Sequence, residues 1–272
     1  MKLNLQSKPG KAAPLHICLP LDRLRRRGQG PWRCPKECFD VALEPPRRPG
    51  RKPRTGCRPY RSTGGRRDRA AAAVRAAEHD DPDREPPFFF QKPTDAVQNV
   101  PAGTTADHPY PSLTHNYHHE IELVAMLHKG GRNVPVETAL DLVYGYAIGL
   151  DMTRRDLQRA MGNEKKPWEI GKSFDHAAPM GPIHPVAQFG HFTKGAIWLK
   201  VNGTTRQSTD LDQMIWSVAE QIAHLSTAFE LAPGDVIYSG TPENVGPVVP
   251  GDVMEGHIDG LPNLLVRVTP AV

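Results

Sequence analysis

The feature that most constrains this chain is a break in texture near residue 85. Before it, residues 1–84 hold 21 Lys/Arg against 9 Asp/Glu, a net of +12; after it, residues 85–272 hold 13 against 21, a net of −8. The formal charge of +4 over 272 residues therefore describes neither part. The first part also carries eleven prolines and runs such as Arg25-Arg26-Arg27, and its apolar residues keep no sustained period of 2 or 3.6. Such a segment cannot bury enough apolar surface to offset chain entropy, so residues 1–80 read as mostly disordered. Only Arg69–Glu78, rich in alanine, has the composition of a short helix. The folded domain is expected from residues 81–272, long enough to build a core without crosslinks.

Several function classes weaken at once. Cys18, Cys34, Cys38 and Cys57 contain no Cys-x2-Cys pair, which argues against zinc. Clustered Arg attracts phosphate, but aromatic side chains for base stacking are not interleaved, so nucleic acid is a poor partner for the basic part. No stretch approaches 18 consecutive apolar residues, and the first residues lack the apolar core of a signal peptide. The expectation is a cytoplasmic protein without a membrane span.

From Pro86 the pattern is organised. Phe88-Phe89-Phe90 reads as a buried strand closed by a turn at Lys92-Pro93, and Val100–Asn116 as a polar loop. His118–Leu127 reads as a strand, on which Glu120 and Glu122 share a face. Two carboxylates on one face of an apolar strand repel and resist desolvation unless a cation lies between them, and a metal ion is the economical answer. His118 and His119 are given structural or rim roles, because His119 faces away from Glu120. A helix over Glu137–Tyr144 precedes a strand, Tyr146–Leu150, that delivers Asp151 at its end. Thr153–Met161 reads as a helix carrying Arg155 and Gln158. Ala196–Val201 and Thr204–Ser208 form a hairpin around Asn202-Gly203. Asp210–Phe229 reads as an amphipathic helix capped by Ser208 or Thr209. Strands over Val236–Ser239, Val253–Ile258 and Leu264–Val268 complete a strand-rich α+β pattern.

Four ordered segments carry a resemblance: His119-Glu120-Ile121-Glu122, Gly149 to Gln158, Gly171-Lys172-Ser173-Phe174-Asp175, and Pro233 to Pro242. From about Asp81 to Val268 the chain resembles the fumarylacetoacetate hydrolase family, in particular its fumarylpyruvate and acylpyruvate hydrolases. The resemblance implies a strand-rich roll around a mixed β-barrel, a homodimer, and Mg²⁺ or Mn²⁺ as cofactor. It implies Glu120, Glu122 and Asp151 as metal ligands, with Lys172 on a substrate carboxylate or enolate oxygen. Thr241 and Gln158 would bind substrate oxygens, and Arg155 would support the ligand shell. The implied reaction is hydrolysis of a carbon–carbon bond in a 2,4-diketo acid, giving fumarate and pyruvate from fumarylpyruvate, in aromatic compound catabolism. The same metal site could serve oxaloacetate decarboxylation or keto–enol isomerisation.

One part of the family's pattern is missing. Its general base is a His paired with a Glu one helical turn later, and those positions hold Val74 and Ala77 here. His79 has Glu78 beside it, but adjacent residues do not face each other on a helix, so the general base is not identified. The gap coincides with the foreign composition of residues 1–80. That coincidence leads to the expectation that this part is a shifted reading of GC-rich coding DNA, which leaves open an inactive homologue or a basic-tailed binding protein.

Overall fold

A computed structural model describes residues 87–271, together with the backbone of two earlier strands, Leu15–Pro20 and Ala73–Arg75. The larger of two main sheets has nine strands. Its central path runs Ala73–Arg75, Leu15–Pro20, Asp235–Ser239, Ile121–Leu127, Val143–Leu150, Ala178–Met180 and Val97–Asn99. The five-stranded sheet runs Thr204–Asp210, Ala196–Val201, Val253–Ile258, Leu264–Thr269 and Thr105–Pro109. A third, small sheet joins Gly246–Pro247, Tyr117–His119 and Thr153–Arg154. Most pairs are antiparallel, but Thr105–Pro109 runs parallel to Leu264–Thr269 and Val97–Asn99 parallel to Ala178–Met180. The fold is thus the strand-rich, mixed α+β type that the sequence pattern predicts.

The core lies between the two large sheets. Ile121, Leu123 and Ile148 from one meet Ile197, Leu199, Met254 and Val266 from the other in a single buried cluster. The sheets approach closely at Gly256, where an added Cβ would stand 3.1 Å from Ile121 Cδ1 and 3.4 Å from Ile148 Cγ2. The hairpin turns where expected, with Asn202 and Gly203 at φ 50° and 77°, the positive values that a two-residue turn between twisted strands needs.

Four local expectations are corrected. Ala73–Arg75, inside the expected helix Arg69–Glu78, is a strand paired with Leu15–Ile17, because sheet pairing overrides the local helix propensity of alanine. The loop Val100–Asn116 contains the strand Thr105–Pro109, hidden because His108 is its one buried residue and no apolar alternation marks it. The helix Glu137–Tyr144 is only Val136–Ala139 plus a 3₁₀ turn, since Val143 already belongs to the next strand. The long helix is Val218–Ala228, capped by Ser217 rather than Ser208 or Thr209, with a Ser217–Glu220 capping box satisfying its first turn. The Arg-rich stretch, Cys34, Cys38, Cys57, Ala77 and His79 lie outside the described residues. Among the described residues no helix is long and apolar enough to cross a membrane.

Candidate functional site

The site forms where two neighbouring strands end. Glu120 sits in the one-residue gap between Tyr117–His119 and Ile121–Leu127, and Glu122 lies on the latter. Val143–Leu150 pairs with it antiparallel, Ile121 opposite Leu150 and Glu122 opposite Gly149. That register carries Asp151 alongside Glu120, and the Asp151 N–H donates to the Glu120 carbonyl at 2.8 Å. All three carboxylates are buried, and each can offer an oxygen within 4.8 Å of the others.

Three cations answer two of these carboxylates. Lys172 is fully buried, and its ammonium donates to Glu120 Oε2 at 2.7 Å, Asp151 Oδ2 at 2.6 Å and Thr153 Oγ1 at 2.6 Å. It arrives on the short helix Glu169–Lys172, which crosses Arg155–Asn163 so closely that a Cβ on Gly171 would stand 2.7 Å from the Gln158 backbone nitrogen. The Arg155 guanidinium pairs with Glu120 Oε1 and donates to Gln158 Oε1 at 2.8 Å, so one side chain ties the carboxylate to the amide. Lys92, also fully buried, ion-pairs with Asp151 Oδ1 at 2.8 Å and donates to the carbonyls of Met152 and Lys172. The sequence reading placed Lys92 only in a turn. A lysine between an aromatic run and a proline gave no sign that it would turn inward.

Glu122 is different. Its Oε2 accepts the Gly240 N–H at 2.8 Å, and its buried Oε1 has no hydrogen-bond partner. Burial, reinforced by Asp151 and Glu120 beside it, pushes its carboxyl well above the ordinary range. Burial also raises Asp151, outweighing Lys172 and Lys92. At Glu120 burial is outweighed by Lys172 and Arg155, which hold the carboxyl low. Burial brings the Lys92 ammonium down to about 8 against the opposing pull of Asp151.

The two histidines take structural places. His118 Nε2 donates to Asn116 Oδ1 at 2.8 Å, and burial lowers its pKa to about 3. His119 turns away from the carboxylates to Gln207, and burial lowers it to about 4. Thr241 follows Gly240 and accepts from Gln207 Nε2 at 2.8 Å. Gln207, like Lys92, was not anticipated. The structure brings Glu120, Glu122, Asp151, Lys172, Arg155 and Gln158 into one network and joins Thr241 to it through the Gly240 contact with Glu122. Val74 falls in the strand Ala73–Arg75, and Ala77 lies outside the described residues.

These residues fit a hard divalent cation. The donors are oxygens only, with no His or Cys, and Glu122 Oε1 is a buried acceptor left open.

This fold and this carboxylate cluster define a class of enzyme. Residues 64–269 match the family model "Fumarylacetoacetate (FAA) hydrolase C-terminal", and the chain belongs to that family. It is 45% identical over 187 residues to the fumarylpyruvate hydrolase of Ralstonia sp, covering 69% of this chain and 95% of the relative. Its identity to the mitochondrial oxaloacetate tautomerase of Homo sapiens is 38% over 182 residues, 67% of this chain and 80% of that protein. Among solved structures it is similar to a fumarylpyruvate hydrolase from Pseudomonas aeruginosa in complex with Mn²⁺ and pyruvate. That match has 58% identity and a TM-score of 0.68, covering 70% of this chain and 82% of that one.

Proposed function

We propose that this chain hydrolyses the carbon–carbon bond of a 2,4-diketo acid of the fumarylpyruvate type, using a divalent cation held by Glu120, Glu122 and Asp151. The observation that carries the reading is the buried all-oxygen cluster in which Glu122 alone lacks a cationic partner. When bound, Mg²⁺ or Mn²⁺ would act as a Lewis acid toward the 2-keto acid end of the substrate. Lys172 is the group for the enolate charge that develops as the bond breaks, and its fixed position means little reorganisation at that moment. Its three ammonium protons are already engaged, so a substrate oxygen reaches it by exchange for Glu120, Asp151 or Thr153. Gln158 and Thr241 would orient substrate oxygens, and Arg155 holds Glu120 and Gln158 in register. Residues 81–272 form the catalytic domain in this reading. A cytoplasmic homodimer acting in aromatic compound catabolism is part of the same proposal.

Tautomerisation or decarboxylation of oxaloacetate is the second reading. It needs enolate stabilisation without activation of water, and Val74 and Ala77 stand where the family's base dyad is expected. The experiment is an assay on fumarylpyruvate after EDTA treatment, with Mg²⁺ or Mn²⁺ added back. Metal-dependent loss of the diketo-acid absorbance supports hydrolysis. Metal-dependent enol–keto exchange or decarboxylation of oxaloacetate, with fumarylpyruvate untouched, replaces it with the second reading.

A further inference from the structure

Gln207 is the one buried residue on the edge strand Thr204–Asp210, with no solvent access, beside the register shift between Leu199 and Lys200 of the neighbouring strand. All four of its amide valences are used. Oε1 accepts from the Ile121 N–H at 3.2 Å and from His119 Nδ1 at 2.9 Å. Nε2 donates to the Pro242 carbonyl at 2.8 Å and to Thr241 Oγ1 at 2.8 Å. Two partners are backbone groups with fixed polarity, since an N–H can only donate and a carbonyl can only accept. They settle which end of the amide is oxygen and which is nitrogen. The other two partners must then follow: His119 carries its proton on Nδ1, and Thr241 Oγ1 accepts a hydrogen bond from Gln207 Nε2. A hydroxyl whose oxygen is occupied by a donor keeps its own O–H for another acceptor. Among the described residues none takes it.

We propose that Gln207 is a positioning residue that presets Thr241 as a hydrogen-bond donor toward a substrate oxygen, using the backbone of Ile121 and Pro242 as its reference. Thr241 follows directly on Gly240, whose N–H holds Glu122 Oε2. One edge-strand amide thereby links the polarity of the substrate loop to the strand that carries the carboxylates. The proposal rests on the reading of Thr241 as a substrate contact, and its tests are chosen so that the two can fail separately.

The first test needs neither metal nor substrate. Nitrogen NMR of the imidazoles in the unmodified, metal-free protein should find His119 as the Nδ1–H tautomer, and an Nε2–H tautomer overturns the proposed amide polarity. The second is a double-mutant cycle on pyruvate binding to the Mn²⁺-loaded protein. Gln207→Met, which keeps volume but loses both polar ends, should weaken pyruvate about tenfold, as should Thr241→Val. The double variant should be no weaker than either single one, and Thr241→Ser should bind like the wild type. If Gln207→Met weakens pyruvate just as much in the Thr241→Val background, Gln207 does not act through Thr241 and the proposal falls. Absence of pyruvate binding by the wild type would instead overturn the reading of the site, with the tautomer still reporting on Gln207. Where Gln207→Met is poorly folded, the tautomer and the Thr241 pair carry the test.

Discussion

The strands Ile121–Leu127 and Val143–Leu150 serve two regions of opposite character. Along their length they pack Leu123, Ile148 and their neighbours against the second sheet, closely enough that a Cβ on Gly256 would press on Ile121 at 3.1 Å. At their shared end they gather three carboxylates and two lysines with almost no solvent. The first region stabilises the fold by burying apolar surface. The second works against it, because each buried charge carries a desolvation cost that its partners only partly offset. Glu122, with an unpaired oxygen and no cation, is where that compensation stops. A folded chain retains such an arrangement for chemistry, and the contrast can be broken from either side.

The largest effect is expected from Lys172→Met. It leaves Glu120 and Asp151 buried without their shared ammonium, so kcat should fall by about 10³ and stability by about 3–5 kcal/mol. Steady-state kinetics and denaturant unfolding check both. In the apolar region Leu123→Ala should cost about 2–5 kcal/mol of stability while leaving metal affinity unchanged. If it abolished metal binding with the fold intact, the two regions would not be separable. Lys92→Met removes a partner of Asp151 without touching the other two carboxylates, and Mn²⁺ affinity should change by about tenfold, measured by calorimetry.

A pH-dependent effect lies with His108, which packs beside Tyr117 and bonds its hydroxyl and the Gln98 amide, both at 2.6 Å. Burial, with smaller contributions from His176 and Lys92, lowers its pKa to about 3. An imidazole kept neutral in the fold, but titrating near 6.5 once unfolded, contributes its full stabilisation above about pH 6.5. That contribution is lost as the pH falls from there toward about 3. Unfolding free energy should therefore decline through this window by at most about 1.4 kcal/mol per pH unit for this group. His108→Gln should flatten the decline.

Much of this was legible in the sequence where a residue type has few alternatives. The Glu120/Glu122 alternation, Asp151 at a strand end and the Asn202-Gly203 turn each follow from local geometry, and the structure places them as read. Lys92 and Gln207 were not legible, because their roles depend on partners 59 and 86 residues away in sequence, Asp151 and Ile121. No local periodicity encodes such contacts. The edge strand Thr105–Pro109 escaped for a related reason, since a strand exposed on most positions lacks the apolar alternation that marks one. The cap of the long helix was readable in principle. Ser217-x-x-Glu220 is a capping-box signature, masked by apolar residues upstream that extended the helical period too far.

The central claim is that Glu120, Glu122 and Asp151 together hold one divalent cation. Mn²⁺ titration of the EDTA-treated protein, followed by electron paramagnetic resonance, tests it most directly when wild type and Glu122→Ala are compared. The account predicts one tightly held ion per chain in the wild type. It predicts loss of that ion in the variant, which should stay folded because removing a buried carboxylate that has no cationic partner removes a desolvation cost. A folded Glu122→Ala protein that binds Mn²⁺ as the wild type does would contradict it.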